Sequence, residues 1–188
     1  MNDKRMKNGI TSLIDLLIKR FGENSILVGC EIGVWRGGTS IELLKAFPNL
    51  HLYMIDPWQS DWMKGSMRCN KSQKFLDEIP SLVCSDTKFA EERRTIIKKT
   101  GTEAVADFED DSLDFVFIDA NHIYEYIKQD LNDWWTKVKP GGIFSGHDYN
   151  GRLDRRGIWG VKKAVNEFAA FHKLDVQVFD MQLWSIQK

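Results

Sequence analysis

Short apolar segments alternate with amphipathic ones along most of this 188-residue chain, and this alternation is the strongest constraint on its fold. Short apolar runs bounded by polar residues are typical of buried strands, whereas apolar residues at helical spacing indicate helices. Alternating strands and helices favour an α/β fold with a mainly parallel sheet. The pattern predicts strands at Ser25 to Glu31, Leu50 to Ile55, Thr95 to Lys98, Leu113 to Ile118, Gly142 to Ser145, Asp175 to Phe179 and Leu183 to Ile186.

Amphipathic helices are predicted before and between these strands. The first lies within residues 1–22 and ends at Gly22, which is suited to a helix C-terminus. Only residues 180–182 separate the last two strands, so we expect an antiparallel hairpin at one edge of the sheet. The other predicted helices are Thr39 to Ala46, Lys88 to Arg94, Glu103 to Phe108, Tyr124 to Val138 and Gly160 to His172.

Composition and charge predict a single domain over residues 1–188 in the cytoplasm. With 43% hydrophobic and 28% charged residues the chain is ordinary for a globular protein, and no linker divides it. A formal net charge of -1 offers no global attraction to nucleic acid or anionic lipid, so neither partner is expected. Three cysteines without a C-x-x-C pair fit a reducing compartment. Asp15 interrupts the N-terminal apolar stretch, which predicts neither a signal peptide nor a membrane span.

Residues 57–94 depart from the alternation. Their periodicity is weak, and the segment is far longer than the usual connection of about 2–6 residues between a strand and a helix. Long excursions of this kind commonly bind ligands or cover a site. The sequence therefore predicts an insert or lid region here.

The stretch "CEIGVWRGGTS", residues 30–40, joins the first strand to the following helix and contains three glycines. It lacks the phosphate-loop lysine, because Thr39 stands in that position. It also lacks the dinucleotide fingerprint G-x-G-x-x-G, since three residues separate Gly33 from Gly37. What remains is an E-x-G-x-x-x-G pattern that begins at Glu31.

This pattern resembles motif I of the class I S-adenosylmethionine-dependent methyltransferases. "LYMIDPW" places Asp56 at the end of the second strand, where an acid can accept hydrogen bonds from both ribose hydroxyls. Residues 113–149, "LDFVFIDANHIYEYIKQDLNDWWTKVKPGGIFSGHDY", resemble the fourth strand, helix and fifth strand of small-molecule O-methyltransferases. The closest likeness is to the macrocin-type sugar O-methyltransferases, and it covers about Ile26 to Lys188 apart from the insert.

The resemblance implies a Rossmann-like fold: a seven-stranded, mainly parallel sheet with helices on both faces and an antiparallel C-terminal hairpin. It also implies S-adenosylmethionine as cofactor and a hydroxyl of a small molecule as acceptor, a sugar being one option. Trp58 could stack on adenine or the acceptor, or pack in the core. The residues expected to bind the cofactor are Glu31, Gly33, Gly37, Thr39, Asp56, Trp58, Thr102 and Asp119.

Methyl transfer to oxygen needs a deprotonated acceptor. A general base can take the proton, or a divalent cation can lower the pKa of the acceptor hydroxyl. Asp119 and His122 follow one predicted strand, and His147 and Asp148 follow the next, so we expect all four at the same edge of the sheet. The resemblance implies His122 as catalytic base together with Asp119, and Asp119, His147 and Asp148 as metal ligands. Because an acid is usual where His147 stands, three options are open: Mg²⁺ with water, a nitrogen-tolerant metal such as Mn²⁺ or Fe²⁺, or no metal.

Two other functions are compatible with the sequence. One is a catalytically inactive regulatory domain that binds S-adenosylmethionine. The other is an RNA methyltransferase that uses "RLDRRG", residues 152–157, and the basic stretch 93–99 as a phosphate track. The arginines of "RLDRRG" could instead grip an anionic group on a small acceptor, or form a solvated loop. The sequence carries no signal for the acceptor's identity or for oligomeric state.

Overall fold

The computed structural model describes residues 2–60, 71–150, 153–154, 157–158 and 160–188, with side chains for all of these except 2–8, 153–154 and 157–158. Seven strands form one sheet in the order β3-β2-β1-β4-β5-β9-β8. They are β1 Leu27–Ile32, β2 Leu50–Ile55, β3 Arg94–Ile97, β4 Leu113–Ile118, β5 Val138–Gly146, β8 Gln177–Phe179 and β9 Leu183–Gln187. A separate antiparallel pair consists of β6 Leu153–Asp154 and β7 Gly157–Ile158.

Six α-helices and two 3₁₀ turns are seen in the described part of the chain. The helices are α1 Asn2–Phe21, α2 Gly38–Ala46, α3 Gln73–Asp86, α4 Gly101–Ala104, α5 Tyr124–Trp135 and α6 Val161–His172. The 3₁₀ turns are Lys88–Arg93 and Val105–Asp107. None of these helices is both long enough and apolar enough to cross a membrane.

The sheet has the predicted topology. Strands β3, β2, β1, β4 and β5 are parallel, whereas β9 runs antiparallel to both β5 and β8. The strand order reverses direction between β1 and β4, which creates a crevice at their carboxyl ends where ligands of α/β folds usually bind. The predicted mainly parallel sheet and antiparallel C-terminal hairpin are confirmed.

Helices cover both faces of the sheet, also as predicted. One apolar core joins the sheet to α1, α2 and α3, and the other joins it to α5 and α6. On the first face the buried helix side chains are Leu13, Leu17, Leu43, Leu44, Leu76, Ile79 and Val83. On the second face they include Ile127, Leu131, Trp134, Val161, Val165 and Phe168.

The largest difference from the predicted elements lies between β2 and β3. Helix α3 was not predicted, because its apolar face is short and Pro80 interrupts its interior. The predicted helix Lys88 to Arg94 is a 3₁₀ turn, and Arg94 already belongs to β3. Residues 61–70 of the predicted insert lie outside the described residues. The lid role of residues 57–94 stays a prediction.

Candidate active site

The loop between β1 and α2, residues Gly33 to Gly37, is called the glycine loop below. Both of these glycines have positive φ angles, 96° for Gly33 and 77° for Gly37, a region that side chains disfavour. A Cβ on Gly33 would lie 2.3 Å from the carbonyl oxygen of Asp119, so any side chain there would collide with the backbone after β4. The two predicted glycines therefore shape the loop, and Gly33 brings it against the end of β4.

Glu31, the last acid before the glycine loop, is almost fully buried at the end of β1. Its carboxyl group accepts a hydrogen bond from the Ser40 hydroxyl of α2. Burial raises the pKa of Glu31 to about 8, and the negative charges of Asp119 and Asp56 add to this rise, against the hydrogen bonds from Ser40 and Thr39. Glu31 is therefore largely protonated at neutral pH and fixes the start of α2. The sequence did not point to Ser40, although a hydroxyl in the first turn of the helix is a usable signal.

Asp56 links the glycine loop to the chain after β2. Its Oδ2 accepts the backbone N–H of Trp35 at 2.8 Å, and its Oδ1 accepts the backbone N–H of Trp58, also at 2.8 Å. Burial raises the pKa of Asp56, while these two hydrogen bonds lower it. Each oxygen keeps a second lone pair, so the carboxylate can still accept hydroxyl hydrogens.

Trp58 is fully buried, and its indole Nε1 donates to the Trp35 carbonyl oxygen at 2.8 Å. Trp58 therefore packs in the core of this structure, and its contact with adenine or the acceptor stays a prediction. Thr39 is buried beside Glu31 in α2. Thr102 is exposed in the first turn of α4, which follows β3 at the same edge of the sheet.

The second half of the crevice holds four residues, Asp119, His122, His147 and Asp148, which are called the acid–histidine cluster. His122 Nε2 lies 2.9 Å from Asp148 Oδ2 and 3.4 Å from Asp119 Oδ1. His147 Nδ1 lies 3.6 Å from Asp148 Oδ1. All four side chains are partly buried, and the predicted meeting of the β4 and β5 ends is observed.

Backbone contacts hold this cluster in place. The N–H of Asp119 donates to the Ile32 carbonyl at 2.8 Å, and the N–H of His147 donates to the Ile118 carbonyl at 3.1 Å. The Gly160 N–H, just before α6, donates to the His122 carbonyl at 2.8 Å. The cluster is thus tied to β1, β4 and α6, and its carboxylates and imidazoles are held at short range.

Histidines and carboxylates in the cluster change each other's proton affinity. Burial lowers the pKa of His122, but hydrogen bonds and charge from Asp119 and Asp148 outweigh it and raise this pKa to about 9. Burial raises the pKa of Asp148, yet His122 and His147 hold it well below its usual range. At neutral pH His122 is therefore an imidazolium that lies against Asp119 and Asp148.

The cluster also offers a ligand set for a divalent cation. One ligand atom each from Asp119, His122 and Asp148 lie within 4.8 Å of one another. Two carboxylates and one imidazole suit Mn²⁺ or Fe²⁺ better than Mg²⁺, which prefers oxygen ligands. The sequence prediction named His147 in place of His122, and the described residues bring His122 to the two carboxylates instead. The donor set fits a cation, with this exchange of one histidine.

The predicted anion-binding arginines Arg152, Arg155 and Arg156 lie outside the described residues. The other basic stretch, residues 93–99, is engaged with the protein itself. The Arg93 guanidinium donates to the carbonyl oxygens of residues 44, 47 and 50, and the Arg94 guanidinium donates to those of residues 84 and 87. Lys99 pairs with Asp107 at 2.5 Å.

Solved structures share this fold at low sequence identity. An O-methyltransferase from Bacillus cereus in complex with S-adenosylhomocysteine superposes with a TM-score of 0.62 and 15% identity, covering 97% of this chain and 81% of that chain. The 1,6-didemethyltoxoflavin-N1-methyltransferase of Burkholderia thailandensis gives 0.65 and 13%, covering 96% and 78%. A candidate rRNA methylase from Clostridium thermocellum gives 0.67 and 15%, covering 96% and 97%. Identity at this level shows a common fold alone.

Sequence comparison is more specific. The uncharacterised protein y4gI of Sinorhizobium fredii is 29% identical over 107 residues, which is 57% of this chain but 11% of the relative's length. A family model described as a methyltransferase domain matches residues 30–149, well over half of the chain. The matched range contains the glycine loop, Asp56 and the acid–histidine cluster. The chain therefore belongs to the methyltransferase domain family.

Proposed function

We propose that this protein is an S-adenosylmethionine-dependent methyltransferase acting on a hydroxyl group of a small molecule, a sugar being one candidate. The observation that carries the proposal is the contact between Gly33 and the Asp119 backbone. It brings a loop shaped for a cofactor against a turn that carries an acid–histidine pair. Methyl transfer needs the donor and a proton acceptor within a few ångströms of the same oxygen.

The cofactor half of the crevice suits S-adenosylmethionine, which supplies an electrophilic methyl group when bound. Gly33 and Gly37 leave the loop backbone open to the methionyl part. Asp56 has lone pairs for the ribose hydroxyls beyond those used by Trp35 and Trp58. Thr102, in the first turn of α4 after β3, is the residue proposed to meet adenine.

The acid–histidine cluster suits deprotonation of the acceptor. In the absence of a cation, His122 takes the acceptor proton, while Asp119 and Asp148, which lie against its Nε2, orient the imidazole and stabilise its charged form. Because the pKa of His122 is raised to about 9, this route is favoured at alkaline pH. A divalent cation would be held by Asp119, His122 and Asp148, and it would lower the pKa of the acceptor hydroxyl. The first route needs His122 as a proton acceptor and the second needs it as a metal ligand, so a measurement of metal binding separates them.

Titration calorimetry with S-adenosylhomocysteine tests the cofactor assignment. We expect the wild type to bind, and Asp56→Ala to weaken binding more than tenfold, which corresponds to a loss of about 1.4 kcal/mol or more. Asp175→Ala is the matched control, because Asp175 is exposed and precedes β8 at the opposite edge of the sheet. A folded wild type that does not bind would overturn the proposed cofactor. Equal affinity of wild type and Asp56→Ala would overturn the role of Asp56 alone.

Calorimetry with Mn²⁺ on chelator-treated protein tests the cation route. We expect one Mn²⁺ per chain, and we expect its heat to disappear in both Asp148→Asn and His122→Asn. His51→Asn is the control, since His51 lies near the start of β2, away from the cluster, and pairs with the Thr95 hydroxyl of β3. Absence of Mn²⁺ and Mg²⁺ heats, together with retained turnover in chelator, would leave His122 as the base without a metal.

Two competing functions predict other outcomes. A regulatory domain would bind S-adenosylhomocysteine without turnover over a panel of hydroxyl acceptors. An RNA methyltransferase would bind RNA with an affinity that falls steeply with salt. The fold is shared with a candidate rRNA methylase, but the engagement of Arg93 and Arg94 with backbone carbonyls removes part of the phosphate track that this alternative needs.

A further inference from the structure

We propose that Gly9 of helix α1 is a positioning residue for the acid–histidine cluster, and that it acts by holding the His147 imidazole toward Asp148. Gly9 is buried, and a Cβ placed on it would lie 2.7 Å from His147 Nε2 and 3.0 Å from His147 Cδ2. Real Cβ atoms essentially never approach other atoms below 3.0 Å. The N-terminal helix can therefore reach the imidazole only because this residue is glycine.

Helix α1 cannot relieve such a collision by a small shift, because it is fixed further along its length. Leu13 and Leu17, four and eight residues after Gly9, are fully buried in the core. Ser12 donates a hydrogen bond to Asp180 in the turn between β8 and β9. Arg20 Nε donates to the Gly141 carbonyl oxygen at 2.8 Å. Gly9 thus belongs to a helix face that is seated on β5 and on the C-terminal hairpin.

The backbone that carries His147 is also held in place, so the imidazole can move only by rotation of its own side chain. Its backbone N–H is bonded to Ile118, and the next residue, Asp148, has a φ angle of 59° that fixes the turn. His147 Nε2 is buried and has no hydrogen-bond partner among the described residues. The other ring nitrogen, Nδ1, is the one that faces Asp148 Oδ1. The helix covers one nitrogen and leaves the other for the cluster.

Gly9 therefore acts on the cluster through a short chain of contacts. His147 lies against Asp148 Oδ1, and His122 lies against Asp148 Oδ2, so the two imidazoles set the orientation of one carboxylate. A side chain at residue 9 would rotate His147 and release one side of Asp148. The effect on methyl transfer rests on the proposed function, whereas the contact between Gly9 and His147 does not.

A double-mutant cycle tests the contact through thermal unfolding of Gly9→Ala, His147→Ala and the double variant. Alanine normally stabilises a helix relative to glycine. We expect Gly9→Ala to lower the melting temperature in the wild-type background and to raise it in the His147→Ala background, because the small side chain leaves room. Asp15→Ala is the control, because Asp15 is exposed on the same helix, and it should change the melting temperature by the same amount in both backgrounds.

An equal rise in melting temperature in both backgrounds would overturn the proposal, because it would mean that no collision occurs. If Gly9→Ala alone does not fold, folding of the double variant supports the contact, and failure of both overturns it. These outcomes do not depend on the ligand. Calorimetry with S-adenosylhomocysteine on the wild type then reports on the proposed function separately.

Imidazole ¹H–¹⁵N correlation spectra test the positioning role, which a purely structural residue would not show. We expect Gly9→Ala to shift the ring nitrogens of His147 and His122, while those of His51 and His172 stay in place and serve as internal controls. Unchanged signals of His147 and His122 in a folded Gly9→Ala protein would overturn the positioning role.

Discussion

The two halves of the crevice use carboxyl groups in opposite ways, although they lie at the same edge of one sheet. At the ends of β1 and β2, Glu31 and Asp56 are no more than 5% exposed and receive hydrogen bonds from neutral groups. Burial raises the pKa of both. At the ends of β4 and β5, Asp119 and Asp148 are 33% and 19% exposed and lie against an imidazole.

This difference indicates that the first pair of carboxyl groups holds the glycine loop in one conformation, whereas the second pair is suited to proton transfer. A buried carboxyl that accepts neutral hydrogen bonds holds a loop in one conformation, and its own charge is suppressed by desolvation. A carboxylate that lies against a histidine, as Asp148 does, stays ionised, and the histidine can exchange a proton with its pKa raised, to about 9 in His122. In the proposed function the first half binds the cofactor, and the second half moves a proton or holds a cation.

The largest effect is expected when the acid–histidine cluster loses His122. His122→Gln should lower the rate of methyl transfer by about 10²- to 10⁴-fold, the usual contribution of a positioned acid or base. Affinity for S-adenosylhomocysteine should stay the same, because the Glu31 and Asp56 half is untouched. Turnover at saturating cofactor and calorimetric binding measure the two quantities on the same protein.

His172→Gln is the matched control for this change, because His172 is exposed at the end of α6. A parallel loss of cofactor affinity in His122→Gln would break the comparison, since it would show that the two halves form a single unit.

An intermediate effect is expected when the cofactor half loses its buried acid. The folded-state pKa of Glu31, about 8, lies above its ordinary value of 4.5, so between these values the folded protein holds a proton that the unfolded chain has released. The stabilising contribution is complete below pH 4.5 and is lost as the pH rises through 8. The free energy of unfolding of the wild type should therefore fall by up to about 1.4 kcal/mol per pH unit between pH 4.5 and 8, relative to that of Glu31→Gln.

Urea unfolding of both proteins between pH 5 and pH 9 measures this difference, with Glu42→Gln, an exposed residue of α2, as control. If the free energies of unfolding of the wild type and Glu31→Gln differ by a constant amount over that range, Glu31 is ionised in the folded protein. The contrast between a neutral and an ionised half of the crevice would then fail.

The sequence predicted the meeting of the acid–histidine cluster because parallel strands end at a common edge of the sheet. It predicted the bounds of β2 and β4 correctly, since each is a mostly apolar run of six residues followed by an acid. It did not predict α3, whose buried Leu76, Ile79 and Val83 are separated by Pro80. Residue type and spacing identify such elements only where the apolar period is long and unbroken.

Other features of the site depend on backbone groups and on long-range approach, which residue types do not reveal. The donors to Asp56 are the backbone N–H groups of Trp35 and Trp58, and any residue other than proline could supply them. The approach of Gly9 to His147 joins residues 138 positions apart. The grouping of His122 with Asp119 and Asp148 within 4.8 Å depends on side-chain placement, which spacing alone does not specify.

The smallest effect concerns Trp58, which distinguishes packing from stacking in the cofactor half. Trp58→Phe keeps an aromatic ring but removes the hydrogen bond to the Trp35 carbonyl, so we expect a loss of about 1–3 kcal/mol in the free energy of unfolding. Trp184→Phe is the control, because its buried indole N–H has no partner among the described residues. S-adenosylhomocysteine affinity should fall by less than about tenfold, since Asp56 still accepts the residue 35 N–H. A large loss of affinity with unchanged stability would instead assign the ring to the ligand, and the cofactor half would then be less rigid than its hydrogen bonds indicate.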